Sequence, residues 1–496
     1  MEYFCHIPCG HSIPENNPHA VSVNLPTISD VTGYEEGDPS ITEIMESAYP
    51  RFRQNRLVKK VNDHVRNSSS IPEEIDLLPV ASLHAVNLIE KRIGKNLTFI
   101  SSDGIDFIKL EKNSPVMTEI KDLLQHSGMI PSSRKAEDYL LKNKVIDEEY
   151  PENLEAEESA ISIVKTVLSD GYGSSSVDDV FLCTSGSNAL YTAFEALKSY
   201  QAKCKRNIFI QFGWLYSDSM AIIRKYSDKH SIFLNITDTD SLEAFIRQNN
   251  SEVACVITEL PNNPLVQSPD LPRISEMLKA HNIPLLVDTT IGTAYNVEVM
   301  EYADIIVESL TKWACGNADV LMGAIVLNKS SLLAQELKEY IKQFNVVPYI
   351  KDIRRLAEEI KFYKERVRQI SDNTLQFVDF LSTSKKVKKI HWALGEPSGD
   401  NYRKVMRSGS SVPGLISVIF DKELKYYYDR LPLAKGPSFG TEFTLAMPYI
   451  YMAHYDLLQT SEGKEKLKGL KIDPELLRIS VGLEPIDQII RIFDSL

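Results

Sequence analysis

Ala303-Asp304-Ile305-Ile306-Val307-Glu308-Ser309-Leu310-Thr311-Lys312-Trp313 runs an apolar strand straight into two hydroxyls and one lysine. A run this apolar reads as a strand buried on both faces. A lysine at the end of such a strand is desolvated. Its amine then has a lowered pKa and is a better nucleophile. Ser309 and Thr311 flank it with donors suited to a phosphate.

Working outward, the same cadence repeats. Strands are predicted at 180–183, 207–212, 231–234, 253–259, 284–288, 305–309 and 324–327. Helices are predicted between them at 188–202, 219–226, 241–247 and 271–281. Seven strands alternating with helices, several apolar throughout, predict an α/β fold with a mainly parallel sheet covered on both faces. This region, 151–330, reads as a ligand-binding domain, led by a helix at 155–169. Residues 331–496 read as a smaller C-terminal α+β domain: long helices to about 382, then strands at 387–391, 415–420 and 477–481. At the other end, residues 1–70 read as an arm, irregular to about 40, then helical at 40–49 and 57–65. Residues 71–150 are mixed. The 77–88 stretch reads as helical or part helical, a helix is expected at 116–125, and a hairpin pairs 97–101 with 104–110 across a Ser-Asp-Gly turn.

The strand ends carry the chemistry. Thr184-Ser185-Gly186-Ser187-Asn188-Ala189 joins a strand to a helix. Gly186 admits a close ligand, and the free N–H groups of the helix start suit a phosphate. Val287-Asp288-Thr289-Thr290 puts a carboxylate behind an apolar run, where it needs a positive partner. Glu259-Leu260-Pro261-Asn262-Asn263-Pro264 holds Asn263 extended ahead of a proline. Phe212-Gly213-Trp214-Leu215-Tyr216 offers aromatics to stack on a ring, and Tyr216 also an acid or base. Ligands bind at the carboxyl ends of such strands. A phosphate loop, a ring stacker, a ring anchor and a lysine together suggest pyridoxal phosphate (PLP) held as a Schiff base.

Composition is consistent with that reading. A chain of 496 residues with 43% hydrophobic content has ample material for a core. A net charge of −13 argues against nucleic acid or an anionic membrane as a partner. No apolar run is long enough to span a bilayer. Met1-Glu2-Tyr3-Phe4 lacks the basic start and apolar core expected of a signal peptide, and six scattered cysteines suit a reducing, cytoplasmic location. Cys5-His6-Ile7-Pro8-Cys9-Gly10-His11 fits no common zinc spacing, so it reads as arm, with no metal expected.

These residues, in this order, resemble the Cys/Met-metabolism group of fold-type-I PLP-dependent enzymes, which are aspartate-aminotransferase-like in fold. Tyr49-Pro50-Arg51 is similar to the group's Tyr-Ser-Arg. Arg478-Ile479-Ser480-Val481-Gly482-Leu483-Glu484 is similar to its Arg-Leu-Ser-Val-Gly-Ile-Glu. The 19–26 and 33–39 stretches look most like the long fungal-type cystathionine γ-synthases. The resemblance implies that Lys312 carries the cofactor and shuttles protons, and that Asp288 pairs with the ring nitrogen. Ser185, Gly186, Ser187, Thr290, Ser309 and Thr311 would surround cofactor and phosphate. Tyr216 would stack on the ring and assist as an acid, and Asn263 would touch the phenolic oxygen. Tyr49 and Arg51 would reach the phosphate of a neighbouring subunit, in a homodimer or homotetramer. Arg478 would clamp a substrate carboxylate, with Ser438 assisting.

There are departures. Ser187 replaces the group's Met. Tyr216-Ser217-Asp218-Ser219 keeps only the tyrosine and a hydroxyl of the group's Tyr-Gly-Gly-Thr, which leaves Trp214 as a rival stacker. The stretch between Arg51 and Ser185 is far longer than in compact members. The implied substrates are small amino acids. The implied reaction is γ-replacement on an O-activated homoserine by a thiol. The alternatives are a γ- or β-lyase, or a γ-substitution enzyme of specialised metabolism.

Overall fold

A computed structural model describes residues 4–174, 176–331 and 333–496. Its centre is a seven-stranded sheet: β1 (Val180–Cys183), β2 (Ile208–Phe212), β3 (Lys229–Phe233), β4 (Val253–Glu259), β5 (Leu285–Asp288), β6 (Ile305–Ser309) and β7 (Gly323–Leu327). The order across the sheet is β1-β7-β6-β5-β4-β2-β3. Only β7 runs against the rest, pairing antiparallel with β6 and β1. Every residue of β2, β4 and β7 is buried, as two-sided cover by helices requires. The carboxyl ends of β1, β2, β4, β5 and β6 therefore open on one edge, as expected.

The C-terminal region forms a five-stranded sheet in which Leu477–Ser480 lies between Leu415–Phe420 and Leu445–Pro448. Arg478 rides on that central strand. The strand Leu445–Pro448 was not expected, because its four residues carry no alternation.

Residues 71–150 hold a three-stranded antiparallel sheet with Phe99–Ser102 and Ile105–Glu111 as the expected hairpin. The 77–88 stretch is part helical: a strand, Ile75–Val80, precedes a helix, Leu83–Ile93. Pro79 accounts for the strand half: it removes a donor that a helix interior needs, but an edge strand tolerates it. Ser82 then caps the helix through the Ala85 N–H. The helix Ser133–Lys142 also went unforeseen. The helix expected at 40–49 shrinks to Pro39–Thr42. Beyond it, Met45 and Ala48 are buried in the core, and the Glu46 carboxylate accepts the Ser12 N–H at 3.0 Å, which fixes the segment in irregular form.

One apolar cluster spans all regions: Val23 and Leu25 of the arm, Val86 and Ile120 of the 71–150 stretch, Ala193 and Leu286 around the sheet, and Ile479 of the C-terminal sheet. The stretch is thus built into the core. Among the described residues no helix is long and apolar enough to cross a membrane.

Behind the lysine, Glu308 on β6 is buried between two tyrosines. Tyr172 donates to it at 2.5 Å, and Tyr363 donates to its other oxygen. Burial lifts its carboxyl from 4.5 to about 7, with the tyrosines opposing the rise. The fold thus prefers the neutral acid. Its contribution is fully present below pH 4.5 and is lost as pH rises through 7. A rise of this size corresponds to about 3 kcal/mol. From pH 4.5 to 8, wild-type stability in urea is expected to fall about that much more than that of Glu308→Gln. Parallel pH profiles for the two proteins would contradict this.

Candidate active site

A cavity of about 490 Å³ opens at the sheet's carboxyl edge, the size of a small-molecule site. Twelve of the predicted residues line it: Tyr49, Arg51, Gly186, Ser187, Tyr216, Asn263, Asp288, Thr290, Ser309, Lys312, Ser438 and Arg478. Two stand back from it. Ser185 caps the following helix by accepting the Asn188 N–H at 3.0 Å. Thr311 faces Met322, whose N–H donates to its hydroxyl at 3.1 Å.

Lys312 lies on the turn just beyond β6, and its amine donates to Ser438 Oγ at 2.9 Å. It sits 4.8 Å from the Tyr49 ring centre and 4.9 Å from that of Phe439. Burial lowers its pKa and the Arg478 cation adds to the effect, against an opposing pull from Tyr49. Burial pushes the Tyr49 phenol up, but Lys312 and Arg51 bring it below its ordinary value. Gly440 lets this turn pack: a Cβ there would lie 2.8 Å from the Trp313 nitrogen and 2.9 Å from Lys312 Cβ. Ser438 adopts φ of 93°, a costly backbone state of the kind that clusters at functional sites.

The floor carries two buried carboxylates at adjacent strand ends. Asp288 ends β5 and accepts the Thr290 N–H at 2.8 Å. Glu259 ends β4 and accepts the Tyr216 N–H at 2.5 Å. Burial raises both, and Asp288 raises Glu259 further. Neither forms an ion pair among the described residues. A cation on the cavity side would relieve both, and the protonated ring nitrogen of pyridoxal phosphate is such a cation. The loop at Gly186 fits the phosphate end. A Cβ on Gly186 would sit 2.6 Å from Ser309 Cβ, so only glycine brings this helix start against the β6 end.

At that end stands Arg51. It donates to Ser187 Oγ at 2.9 Å, to the Gln125 carbonyl at 3.2 Å and to Tyr216 Oη at 2.5 Å, and it pairs with Asp218. Asp218 also pairs with His126 Nδ1 at 2.8 Å. Burial would raise the Asp218 carboxyl, but Arg51 and then His126 hold it below the usual range. Burial lifts the Tyr216 phenol well above its ordinary value, so it stays protonated. Trp214, the rival stacker, packs edge-on against His454 at 4.9 Å and does not line the cavity.

Across the cavity, Arg478 is buried over the rings of Phe439 and Tyr449. It donates to the Ser438 carbonyl at 2.5 Å and makes no ion pair among the described residues. Burial lowers its pKa to about 10. It remains a cation at neutral pH, without a counter-charge and facing space.

Sequence reasoning missed Glu259, Gln125, His126 and Asp218 as site residues. Asp218 left a signal, since it occupies the segment that departs from the Tyr-Gly-Gly-Thr pattern. His126 and Gln125 left none, because their partners are remote in sequence.

A family model described as Cys/Met metabolism PLP-dependent enzyme matches residues 175–495. The chain is 35% identical to the L-2-amino-4-chloropent-4-enoate dechlorinase/desaturase of Streptantibioticus cattleyicolor, over 96% of this chain and 95% of that protein. It is 27% identical to the cystathionine gamma-synthase of Neurospora crassa, over 98% and 97% respectively. Among solved structures, cystathionine gamma-lyase from Lactobacillus plantarum, complexed with L-serine, superposes with a TM-score of 0.57 at 19% identity. That match covers 68% of this chain and 85% of the other, and it speaks to fold alone.

Proposed function

Because the chain belongs to the Cys/Met-metabolism family of PLP-dependent enzymes, we propose that it expels a leaving group from the γ carbon of a small α-amino acid and replaces it with a thiol. The observation that carries this reading is the pairing of two groups across one cavity. Lys312 is an amine kept toward its neutral form by burial, and Arg478 is an unpaired buried cation. Both bond to Ser438, through its hydroxyl and its carbonyl.

Pyridoxal phosphate, when bound, supplies an electron sink conjugated to the substrate's α carbon. The chain's own residues supply the rest. Asp288, backed by Glu259, would hold the ring nitrogen protonated, and Asn263 would serve the phenolic oxygen. Gly186, Ser187, Ser309 and Arg51 would hold the phosphate, and Tyr216 would cover the ring. Arg478 takes the α-carboxylate in a bidentate fork. That fixes the Cα–H bond toward Lys312, whose neutral amine removes the proton. Lys312, once it has passed the first proton to the conjugated system, would take a second from Cβ, and the γ group would depart with the bonding electrons. Tyr216, still protonated, can donate to that group. A thiolate then adds at Cγ, and Lys312 returns the protons.

A second reading ends at the departure. In 2-amino-4-chloropent-4-enoate the chlorine sits on the γ carbon, so a dechlorinase/desaturase acts at the same position without a nucleophile. The 35% identity over nearly the whole chain favours this exit.

One assay tests both. Purified protein would be given O-acetyl-, O-succinyl- and O-phosphohomoserine, each with and without cysteine, and 2-amino-4-chloropent-4-enoate alone. Cystathionine formed only with cysteine supports replacement. Chloride released without a thiol supports elimination. Release of no γ group from any of the four would sink the proposal.

A further inference from the structure

Resting on the reading of this cavity as a γ-substitution site, we propose that it sorts substrates by the charge of the leaving group. It takes a halide or a neutral acyl ester on the γ carbon. It rejects a γ group that carries its own negative charge, such as a phosphate or a succinyl ester.

The wall left for the substrate side chain carries the inference. On this reading the cofactor fills the end between Gly186 and Asp288, while Arg478 and Lys312 fix the α-carboxylate and the α carbon. What remains is lined by Ile291, Phe439, Met447, Tyr449, Met452 and Ala453. The first five are buried, and none of the six carries a charge. Met447 is the direct cross-strand partner of Arg478, so the two side chains stand together on one face of the C-terminal sheet. The Phe439 ring centre lies 4.9 Å from the Lys312 amine and 5.1 Å from the Arg478 guanidinium. A side chain anchored by those two groups therefore runs along rings and thioethers. The wall is neutral from behind as well. The Tyr449 hydroxyl bonds to His454 Nε2 at 3.4 Å, and burial draws that imidazole down to about 4, which leaves it uncharged at neutral pH. All six residues lie between positions 291 and 453, so the wall is the same whichever subunit's arm closes the cavity.

The cations of the cavity are otherwise engaged. Arg51 and His126 share Asp218, Lys312 serves the α carbon and Arg478 the α-carboxylate. Among the described lining residues one more cation remains, the partly buried Arg53. It donates to the Thr42 carbonyl at 3.0 Å and lies 5.8 Å from the Tyr34 ring centre. Glu35 lines the cavity beside Tyr34, so that end offers no net positive charge. A second anion on the substrate would thus leave water for an apolar wall without a counter-charge, which is costly. A halide or a simple acyl ester avoids this. It is neutral while bonded, and becomes an anion only as the bond to Cγ breaks with both electrons on the leaving group.

The test compares esters of similar size and intrinsic reactivity that differ in charge. O-Pentanoylhomoserine and O-succinylhomoserine would each be given to the purified holoenzyme, and release of the γ group followed. kcat/KM is expected to be about tenfold or more higher for the pentanoyl ester. Equal values, or a higher value for the succinyl ester, would overturn the proposal. Binding is read separately, from the cofactor's visible band on titration with analogues that lack a leaving group. Norleucine should bind about tenfold or more tighter than glutamate. Glutamate binding as tightly or more tightly would overturn the proposal, and this titration decides if neither ester reacts. Arg53→Gln should leave the ratio between the two esters unchanged. A loss confined to the succinyl ester would put its charge on Arg53 and overturn the proposal. Met452→Lys should narrow the gap. An unchanged ratio in a variant that still turns over the pentanoyl ester would overturn the assignment of this wall. Release of no γ group from these esters or from the substrates above would instead sink the γ-substitution reading itself.

Discussion

Replacing Lys312 with alanine is expected to abolish turnover, by about 10⁴-fold or more, and to remove the yellow absorption of the attached cofactor near neutral pH. On the proposed reading, the size follows from two losses at one atom: the covalent anchor of the cofactor and the base for the α carbon. No neighbouring group can substitute. The nearest amine-like cations, Arg478 and Arg51, are guanidinium groups that stay protonated at neutral pH. A folding defect is not the expected cause. The Lys312 amine is buried near two cations, and although Ser438 and Tyr49 both hold it, burial outweighs them and lowers its pKa, so its removal relieves a desolvated group. Thermal stability measured without cofactor should therefore be unchanged or higher in the variant. Retained turnover, or a retained yellow band, would sink the assignment of Lys312. Loss of activity with a large fall in apo-protein stability would show that the lysine acts structurally.

The sheet was legible because burial on both faces leaves long apolar runs, and β4 and β6 are such runs. Lys312, Asp288, Gly186 and Asn263 were legible for a related reason. Each follows a strand directly, so sequence position nearly dictates spatial position. The opposite holds for the Arg51 end. Arg51, His126 and Asp218 meet only because three separate segments fold together, and no local pattern encodes that meeting. Pro79 was a local signal, and weighing it would have divided the part-helical 77–88 stretch into its strand and its helix. Ser185 and Thr311 were misplaced more finely. Their residue types suit a phosphate, but a cap and a backbone turn engage their hydroxyls first.

Arg478→Ala is expected to lower kcat/KM for the amino-acid substrate by about 10²- to 10⁴-fold, the cost of two charge-assisted bonds at roughly 1.5–3 kcal/mol each. Most of the loss should fall on KM. The carboxylate is held equally before and during proton removal, so its clamp is uniform binding. Some should reach kcat, because the same contact aims the Cα–H bond at Lys312. The fixed supports of the guanidinium make the prediction specific: the Ser438 carbonyl, Asn263 Oδ1 at 3.5 Å, and the rings of Phe439 and Tyr449. A planar fork fits that slot, and an ammonium does not. Arg478→Lys should therefore recover only part of the loss and add a pH signature. Burial already draws the arginine down to about 10. A lysine starts about two units lower, so the same burial removes its charge as pH rises between about 7 and 9. KM in Arg478→Lys should climb across that range while the wild-type value changes far less. A simple amine substrate lacking the carboxylate should be processed equally poorly by wild type and Arg478→Ala. If Arg478→Ala left KM for the amino acid unchanged, the carboxylate would be held elsewhere and the substrate orientation derived from it would fall.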